Sequence, residues 1–228
     1  LFRYAPFQTN NIMTWLQGGP FLEVSFLMMR STDRLLFITD ILTKLKAFVP
    51  TIEIAASENE LKEKVKEFEI GYPDDENDLN SKVYYQTQIP IFVDVVEKRK
   101  STLSFRQVSK QLVAVDFWFF GSKWDAPEWN QHGITESQLP AFKLFLDSLY
   151  DTFQFPIGTL GYENSVTDLF DTSEGWPNEV YNLESINMQL VQVGNYFLYI
   201  VANRLYVDLH GTNGLKIAGQ KQVLEVRT

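Results

Sequence analysis

The sequence contains no cysteine and only two histidines among its 228 residues. Without cysteine there is no catalytic thiol, no disulfide framework and no thiolate metal site. Imidazole chemistry is restricted to His132 and His210. Every apolar run is far shorter than the ~20 residues that cross a bilayer, so we expect no membrane span. The cytoplasm is the expected location.

The chain also lacks an excess of basic residues. It carries 20 lysine and arginine residues against 29 aspartate and glutamate residues, a formal net charge of −9. Proteins that bind nucleic acid usually present a basic face to the phosphates, so we expect no nucleic-acid partner. An acidic balance keeps a protein soluble, and it also steers association toward a basic protein partner.

Three motifs that often identify an enzyme are missing as well. The chain has no G-x-G-x-x-G fingerprint, no P-loop and no G-x-S-x-G elbow. Nucleotide-driven chemistry is therefore disfavoured, and we expect neither a cofactor nor a bound metal. The absence of a catalytic signature favours a protein that is not an enzyme.

Hydrophobic periodicity predicts an α+β fold, with a mainly antiparallel sheet and helices on one face. A buried strand is predicted at Phe21–Met29 and another at 111–120. Amphipathic helices are predicted over 32–48, 60–68 and 137–154. The first has an N-cap oxygen at Asp33, and the last has a capping box from Thr135 to Gln138.

The remaining segments are read from β-rich runs and turn residues. The runs 186–193, 196–201 and 205–210 are separated by short turns, which predicts an antiparallel meander that 223–226 extends. The run 83–96 is also β-rich, and Pro90 within it indicates an edge position or a bulge. The charged stretch 97–101 is predicted to be a solvated turn.

The order strand, helix, proline, strand occurs once in each half of the chain. The apolar positions of the two helices repeat at a displacement of 104 residues, as from Leu35 to Leu139 and from Ile38 to Phe142. We predict a single domain over residues 1–228 with an internal duplication, whose units span 20–100 and 110–228. The alternative is two unrelated β-α-β pieces in one α+β fold.

The second unit carries about a dozen extra residues between strand and helix, in the segment 121–133. This segment contains Trp124, Asp125, Glu128, Trp129 and His132. A helical turn would place Glu128 and His132 on one face, where they could hold a metal or share a proton. Aromatic rings beside carboxylates also suit sugar binding. The alternative is that the Trp rings cover the core while the acids and His132 face water.

A second acidic loop with a tryptophan spans 171–179 and contains Asp171, Glu174 and Trp176. If both loops lie at the same end of the sheet, the carboxylates of Asp125, Glu128, Asp171 and Glu174 converge. Paired carboxylates roughly 5–9 Å apart support glycoside hydrolysis.

Two classes of function follow from these features. The favoured one is a non-enzymatic acidic binding protein that masks or recruits a protein partner, as a bacterial immunity or inhibitor protein does. The alternative is a carbohydrate- or metal-binding hydrolase that uses the acidic Trp-bearing loops. In both, the contact residues would be Trp124, Asp125, Glu128, Trp129, His132, Asp171, Glu174 and Trp176.

Overall fold

A computed structural model describes residues 16, 18–30, 33–48, 52–170, 175–186, 198–204, 206 and 222–226. The strands of this part of the chain are β1 (Phe21–Met29), β2 (Ile52–Ile54), β3 (Tyr72–Pro73), β4 (Val83–Tyr84), β5 (Gln86–Val95), β6 (Glu97–Gln107), β7 (Leu112–Phe120), β8 (Ile157–Tyr162), β9 (Leu198–Ala202) and β10 (Gln222–Val226). Its α-helices are α1 (Arg34–Lys46), α2 (Glu58–Ile70) and α3 (Leu139–Phe153).

One sheet contains strands from both halves of the chain. Seven strands are antiparallel, in the order β9-β8-β1-β7-β6-β5-β2, and β10 adds to β9 at the edge. The predicted α+β class and antiparallel sheet are therefore confirmed. The predicted meander needs a correction, because β10 pairs with β9 in parallel. The runs 187–193 and 207–210 lie outside the described residues. Tyr206 lies in a helical turn rather than in the strand predicted there.

All three helices pack on one face of the sheet, as predicted. Successive side chains of a strand point to opposite faces. Val24 on β1 and Phe117 on β7 point to the same face. Ile38 of α1, Phe68 of α2 and Phe142 of α3 belong to the same buried cluster. We call this side the helix face.

The opposite side of the sheet, which we call the second face, is covered by non-helical chain. Leu27 of β1 and Ala114 of β7 point to it. They pack in a second cluster with Val166, Leu169 and Tyr181, which follow β8 in the chain. The central strands are thus covered on both faces, which explains their nearly continuous apolar runs.

The helices begin where side-chain oxygens satisfy the first amide groups. The Asp33 carboxylate accepts the Leu36 amide at 3.0 Å and starts α1. A capping box between Ser57 and Glu60 starts α2 earlier than predicted. The predicted capping box of Thr135 and Gln138 is present, in a 3-10 turn that leads into α3.

The charged stretch 97–101 is part of β6 rather than a solvated turn. The turn between β5 and β6 is confined to Val96, which adopts a positive φ of 65°. Arg99 faces the interior and is 6% exposed. Pro90 has no backbone N–H to donate to a neighbouring strand. It lies in β5 just beyond the stretch that pairs with β2, where the Ala55 amide donates to the Pro90 carbonyl oxygen. The missing amide of Pro90 therefore interrupts no strand pairing with β2.

The predicted duplication is not shown by the structure. In the first unit, α1 connects β1 to β2, and three strands lie between these two in the sheet. In the second unit, α3 connects β7 to β8, and only β1 lies between them. The two units therefore share an order of elements but differ in the crossover that the helix makes.

Phenylalanine rings join α3 to the centre of the sheet. Phe145 makes an edge contact with Phe117 at a centroid distance of 5.2 Å, and Phe142 does so with Phe119 at 5.0 Å. Phe48, which follows α1, contacts Phe145 at 5.8 Å. Phe145 is therefore the ring through which α1, α3 and β7 meet, and edge contacts add to the stabilisation from its burial.

We expect Phe145→Ala to lower the free energy of unfolding by about 3–5 kcal/mol, because a large buried ring is removed and a cavity remains. The matched control is Leu144→Ala on the same helix, where the side chain is 64% exposed. That substitution should change stability by about 0.5 kcal/mol or less. Urea unfolding of both variants measures the difference. Equal losses would contradict the assigned helix orientation.

Candidate functional site

The segment 121–133, which we call the Trp loop, is an ordered loop at one end of the sheet. It begins where β7 ends, and backbone hydrogen bonds from Gly121 to Pro20 and from Ile134 to Ser122 close its base. A 3-10 turn at Pro127–Trp129 and a bridge between Ala126 and Gln131 shape its tip. The loop is therefore held by its own backbone as well as by the sheet.

The helical turn predicted to align Glu128 with His132 does not extend that far. It ends at Asn130, which adopts a left-handed conformation with φ 52° and ψ 47°. Glu128 and His132 therefore do not share a helical face. Both side chains are exposed. Their predicted partnership in metal binding or proton transfer has no support from this geometry.

Arg99 braces the Trp loop from the neighbouring strand β6. Its guanidinium donates to the carbonyl oxygen of His132 at 3.0 Å and pairs with Glu97 at 2.7 Å. Burial lowers the pKa of Arg99, while the carboxylates of Glu97 and Asp125 act in the opposite direction. This arginine satisfies backbone carbonyls that a loop of this shape leaves unpaired.

Two further contacts hold the Trp loop. The Asp125 carboxylate accepts the amide of Gly133 at 2.8 Å, across eight residues of the loop. The Lys100 ammonium donates to the carbonyl oxygen of Trp129 at 3.1 Å. Asp125, predicted as a contact residue, is thus engaged in closing the loop.

The two tryptophans of the Trp loop differ in exposure. Trp129 is 39% exposed, and its ring lies against Gly18, where a Cβ atom would be 3.1 Å from Cζ3. Trp124 is 72% exposed, and the Lys123 ammonium lies 5.2 Å from its ring centroid. Trp124 therefore does not cover the core. It presents an apolar ring to solvent from a braced loop.

A small cleft lies between the Trp loop and the hairpin formed by β5 and β6. Its volume is about 90 Å³. The walls are Leu16, Phe92, Lys98, Arg99, Lys100, Phe119, Phe120, Asn130, Gln131 and His132. Sites for drug-sized ligands usually measure about 300–1,000 Å³, so this cleft accommodates a few atoms at most.

Trp176 lies far from the Trp loop. Its ring packs on the second face against Tyr181 at 3.9 Å and Phe170 at 5.8 Å. The nearby Asn178 amide donates to Val108, just before β7 begins, whereas the Trp loop follows the end of β7. A strand of that length separates the two segments by roughly 30 Å.

The predicted convergence of the two acidic loops, which paired carboxylates would need, is therefore not seen in the described part of the second loop. Residues 175–179 lie at the opposite end of β7 from the Trp loop. Asp171 and Glu174 lie outside the described residues. Their predicted contact role stays a prediction, as does that of Trp176.

A polar row that the sequence analysis missed crosses the second face. Four side chains lie side by side on neighbouring strands: Thr159 on β8, Ser25 on β1, Asp116 on β7 and Ser104 on β6. Each is at most 6% exposed. The sequence contained an indication of this row. Asp116 stands alone among apolar residues in its strand, and Ser25 shares a strand face with Glu23.

Asp116 is completely buried, and its two carboxylate oxygens differ. One accepts a hydrogen bond from the Ser25 hydroxyl. The other, Oδ2, accepts no hydrogen bond from the described residues and lies 4.0 Å from Nη2 of Arg106. Burial raises the pKa of Asp116, and Arg106 and the Ser25 hydrogen bond oppose that shift.

Two more acid groups border Asp116. Glu23 is its diagonal neighbour on β1, and burial together with the charge of Asp116 raises the pKa of Glu23 to about 8. Asp168 lies at the exposed outer edge, where the partial burial of its carboxyl group raises its pKa and the hydrogen bond from the Ser165 amide opposes the shift. We call Glu23, Asp116 and Asp168 the acid cluster.

The described residues contain no group of three acidic or histidine side chains that could hold a metal ion. None of the helices in the described part of the chain has the length and apolar character needed to cross a membrane. Comparisons with protein-family models, with curated proteins and with solved structures found no match to this chain. The geometry of its own residues therefore carries the functional argument.

We expect Asp125→Ala to loosen the Trp loop without unfolding the sheet. Loss of this exposed hydrogen bond costs about 1 kcal/mol, so the Gly133 amide should exchange with solvent about fivefold faster. Hydrogen exchange followed by NMR measures that rate. Glu128→Ala, which removes an exposed carboxylate from the same loop, should leave it unchanged. An unaltered rate in Asp125→Ala would show that the bond does not hold the loop.

Proposed function

We propose that this is a non-enzymatic protein that binds a protein partner through the Trp loop, with Trp124 at the centre of the contact. The observation that carries the proposal is a 72% exposed tryptophan on a loop braced by a buried arginine. Tryptophan is among the residues most enriched at the energetic centres of protein interfaces. Binding would mask the partner or recruit it, as immunity and inhibitor proteins do.

The bracing of the Trp loop supports a contact made with little rearrangement. Association is weakened by the entropy lost when loops and side chains become ordered. Here Arg99, Lys100 and Asp125 already hold the backbone on which Trp124 is placed. Because the loop is already ordered, binding of a partner causes little further loss of loop entropy.

The partner we propose is a basic protein. The chain has a net charge of −9, which raises the rate of encounter with positively charged molecules. Three lysines at or beside the Trp loop have partners within the protein, since Lys98 pairs with Glu53, Lys100 donates to Trp129, and the exposed Lys123 lies over the Trp124 ring. Glu128 remains an exposed carboxylate on the loop itself.

The dimensions of the cleft beside the Trp loop favour a protein partner over a small ligand. A volume of about 90 Å³ is too small to enclose a sugar or nucleotide, whereas a protein contact needs only a surface. The cleft could receive one side-chain tip of a partner that covers Trp124.

We expect Trp124→Ala to weaken binding of the partner by about 30-fold or more, as loss of an interface hot spot does. The tagged wild-type chain is first purified from its native host, and a stoichiometric partner is identified by mass spectrometry. The affinity of the purified pair is then measured by calorimetry for wild type and variant.

The matched control is Leu79→Ala, because Leu79 is a fully exposed apolar side chain in the loop between β3 and β4. It should bind like the wild type. Association should also slow as salt is added, because screening weakens the attraction between opposite charges. Equal affinities for Trp124→Ala and wild type, or the absence of a stoichiometric partner, would overturn the proposal.

A further inference from the structure

The segment 165–170, which we call the covering segment, is tied to the second face by polar side chains of the sheet. The Val166 amide donates to the Ser25 hydroxyl at 3.0 Å. Arg106 of β6 donates to the Thr167 hydroxyl at 3.0 Å. Val166 and Leu169 add apolar contacts with the sheet. The covering segment thus rests on the same residues that surround Asp116.

The groups in and under the covering segment are not balanced in charge. When all three members of the acid cluster are ionised they carry three negative charges, and the cation that opposes them among the described residues is Arg106, 4.0 Å from Asp116. Asp116 is completely buried and Glu23 is half-buried, so water solvates these charges poorly. Glu163, whose carboxylate accepts the Phe21 amide, adds another negative charge at the edge.

The carboxyl groups are placed to hold protons rather than a metal ion. Glu23 and Asp116 are diagonal neighbours on adjacent strands, and Asp168 approaches from the covering segment. Among the described residues such groups do not converge on a common point where a metal could bind. Oδ2 of Asp116 has no hydrogen-bond partner among the described residues, so a negative charge on it is poorly compensated and protonation is favoured.

We propose that the covering segment is a proton-controlled latch, which lies closed on the second face while the acid cluster holds protons and loosens when the cluster ionises. The covering segment, held on the Ser25 hydroxyl by the Val166 amide, keeps the Asp116 carboxylate out of water and brings Asp168 beside Glu23 and Asp116. Ionisation of the acid cluster leaves several negative charges buried together, so their repulsion and their need for water both favour release of the segment.

The direction of the pH effect follows from the raised pKa values. Burial raises the pKa of Glu23 from 4.5 to about 8, so between these two pH values the folded protein binds more protons than the unfolded chain. The stabilising contribution of the protonated group is complete below pH 4.5 and is lost as the pH rises through 8. Asp116 and Asp168 are shifted in the same direction.

The groups that face Glu23 come from every element packed against it. They are Asp116 from β7, Arg106 from β6, Asp168 from the covering segment and Glu163 from the end of β8. Arg106 alone opposes the shift. Burial and these four charged groups account for the raised pKa of Glu23.

The wild-type chain tests the latch directly. The carboxyl carbon of Glu23, followed by NMR, should titrate near pH 8. The exchange of the Val166 amide, divided by the rate expected for an unfolded peptide at each pH, should rise at least tenfold between pH 6 and 8.5. Amides of Phe117 and Leu103 in the central strands should keep their protection. Titration of Glu23 below pH 6, an unchanged ratio for Val166, or equal loss at all amides would overturn the proposal.

Variants separate the latch from general stability. Glu23→Gln removes the proton that is lost near pH 8, so the pH-dependent rise at Val166 should shrink to about twofold. Asp168→Asn at the exposed edge should reduce the pH-dependent rise in part. This variant replaces Glu23→Gln as the test if Glu23→Gln fails to fold. Glu63→Gln, which changes an exposed carboxyl on α2, is the control and should keep the full rise. A full rise in both cluster variants would overturn the proposal.

Discussion

Strand β1 is hydrogen-bonded to β7 along one edge and to β8 along the other, and both of its faces are covered. The rest of the structure depends on this placement. It forces α3 to cross over β1 on the helix face, where Phe145 and Phe142 meet the rings of β7. It also brings Ser25 between Thr159 and Asp116 on the second face, which creates the polar row. Breaking either edge of β1 would disrupt both faces at once.

The protein uses buried charge in two opposite ways. Arg99 is paired with Glu97 and with backbone carbonyls through its terminal nitrogens, although its Nε has no hydrogen-bond partner in the described part of the chain, so most of its charge is compensated and it stiffens the Trp loop. One oxygen of Asp116 has no hydrogen bond from the described residues and faces Arg106 at 4.0 Å, so its charge is incompletely satisfied. Paired buried charges stabilise one geometry, whereas unpaired ones take up protons and respond to pH. The first behaviour suits a preformed contact, and the second suits a switch.

Predictions from the sequence were most accurate where a few neighbouring residues decide the outcome. The Asp33 cap defines the start of α1, and the Thr135–Gln138 box starts the 3-10 turn that leads into α3, in both cases through hydrogen bonds between residues three apart. The sequence also located the Trp loop between a strand and a helix, whereas its interpretation as an insertion depends on the duplication that the structure does not show. Prediction failed at 97–101, because three consecutive cations resemble a solvated turn until a neighbouring loop offers carbonyls to Arg99. It also missed the acid cluster, whose members come from separate segments of the chain.

The sequence by itself determined the types of element and most of their ends, since periodicity, caps and Pro90 act over a few residues. It also determined that Glu23 and Ser25 share one face of a strand, because side chains alternate. Only the tertiary structure decided that β1 lies between β7 and β8, that Trp176 is remote from the Trp loop, and that Asp116 meets Ser25. Strand order depends on which distant segments pair, and pairing energies are set by packing across the whole sheet rather than by local residues.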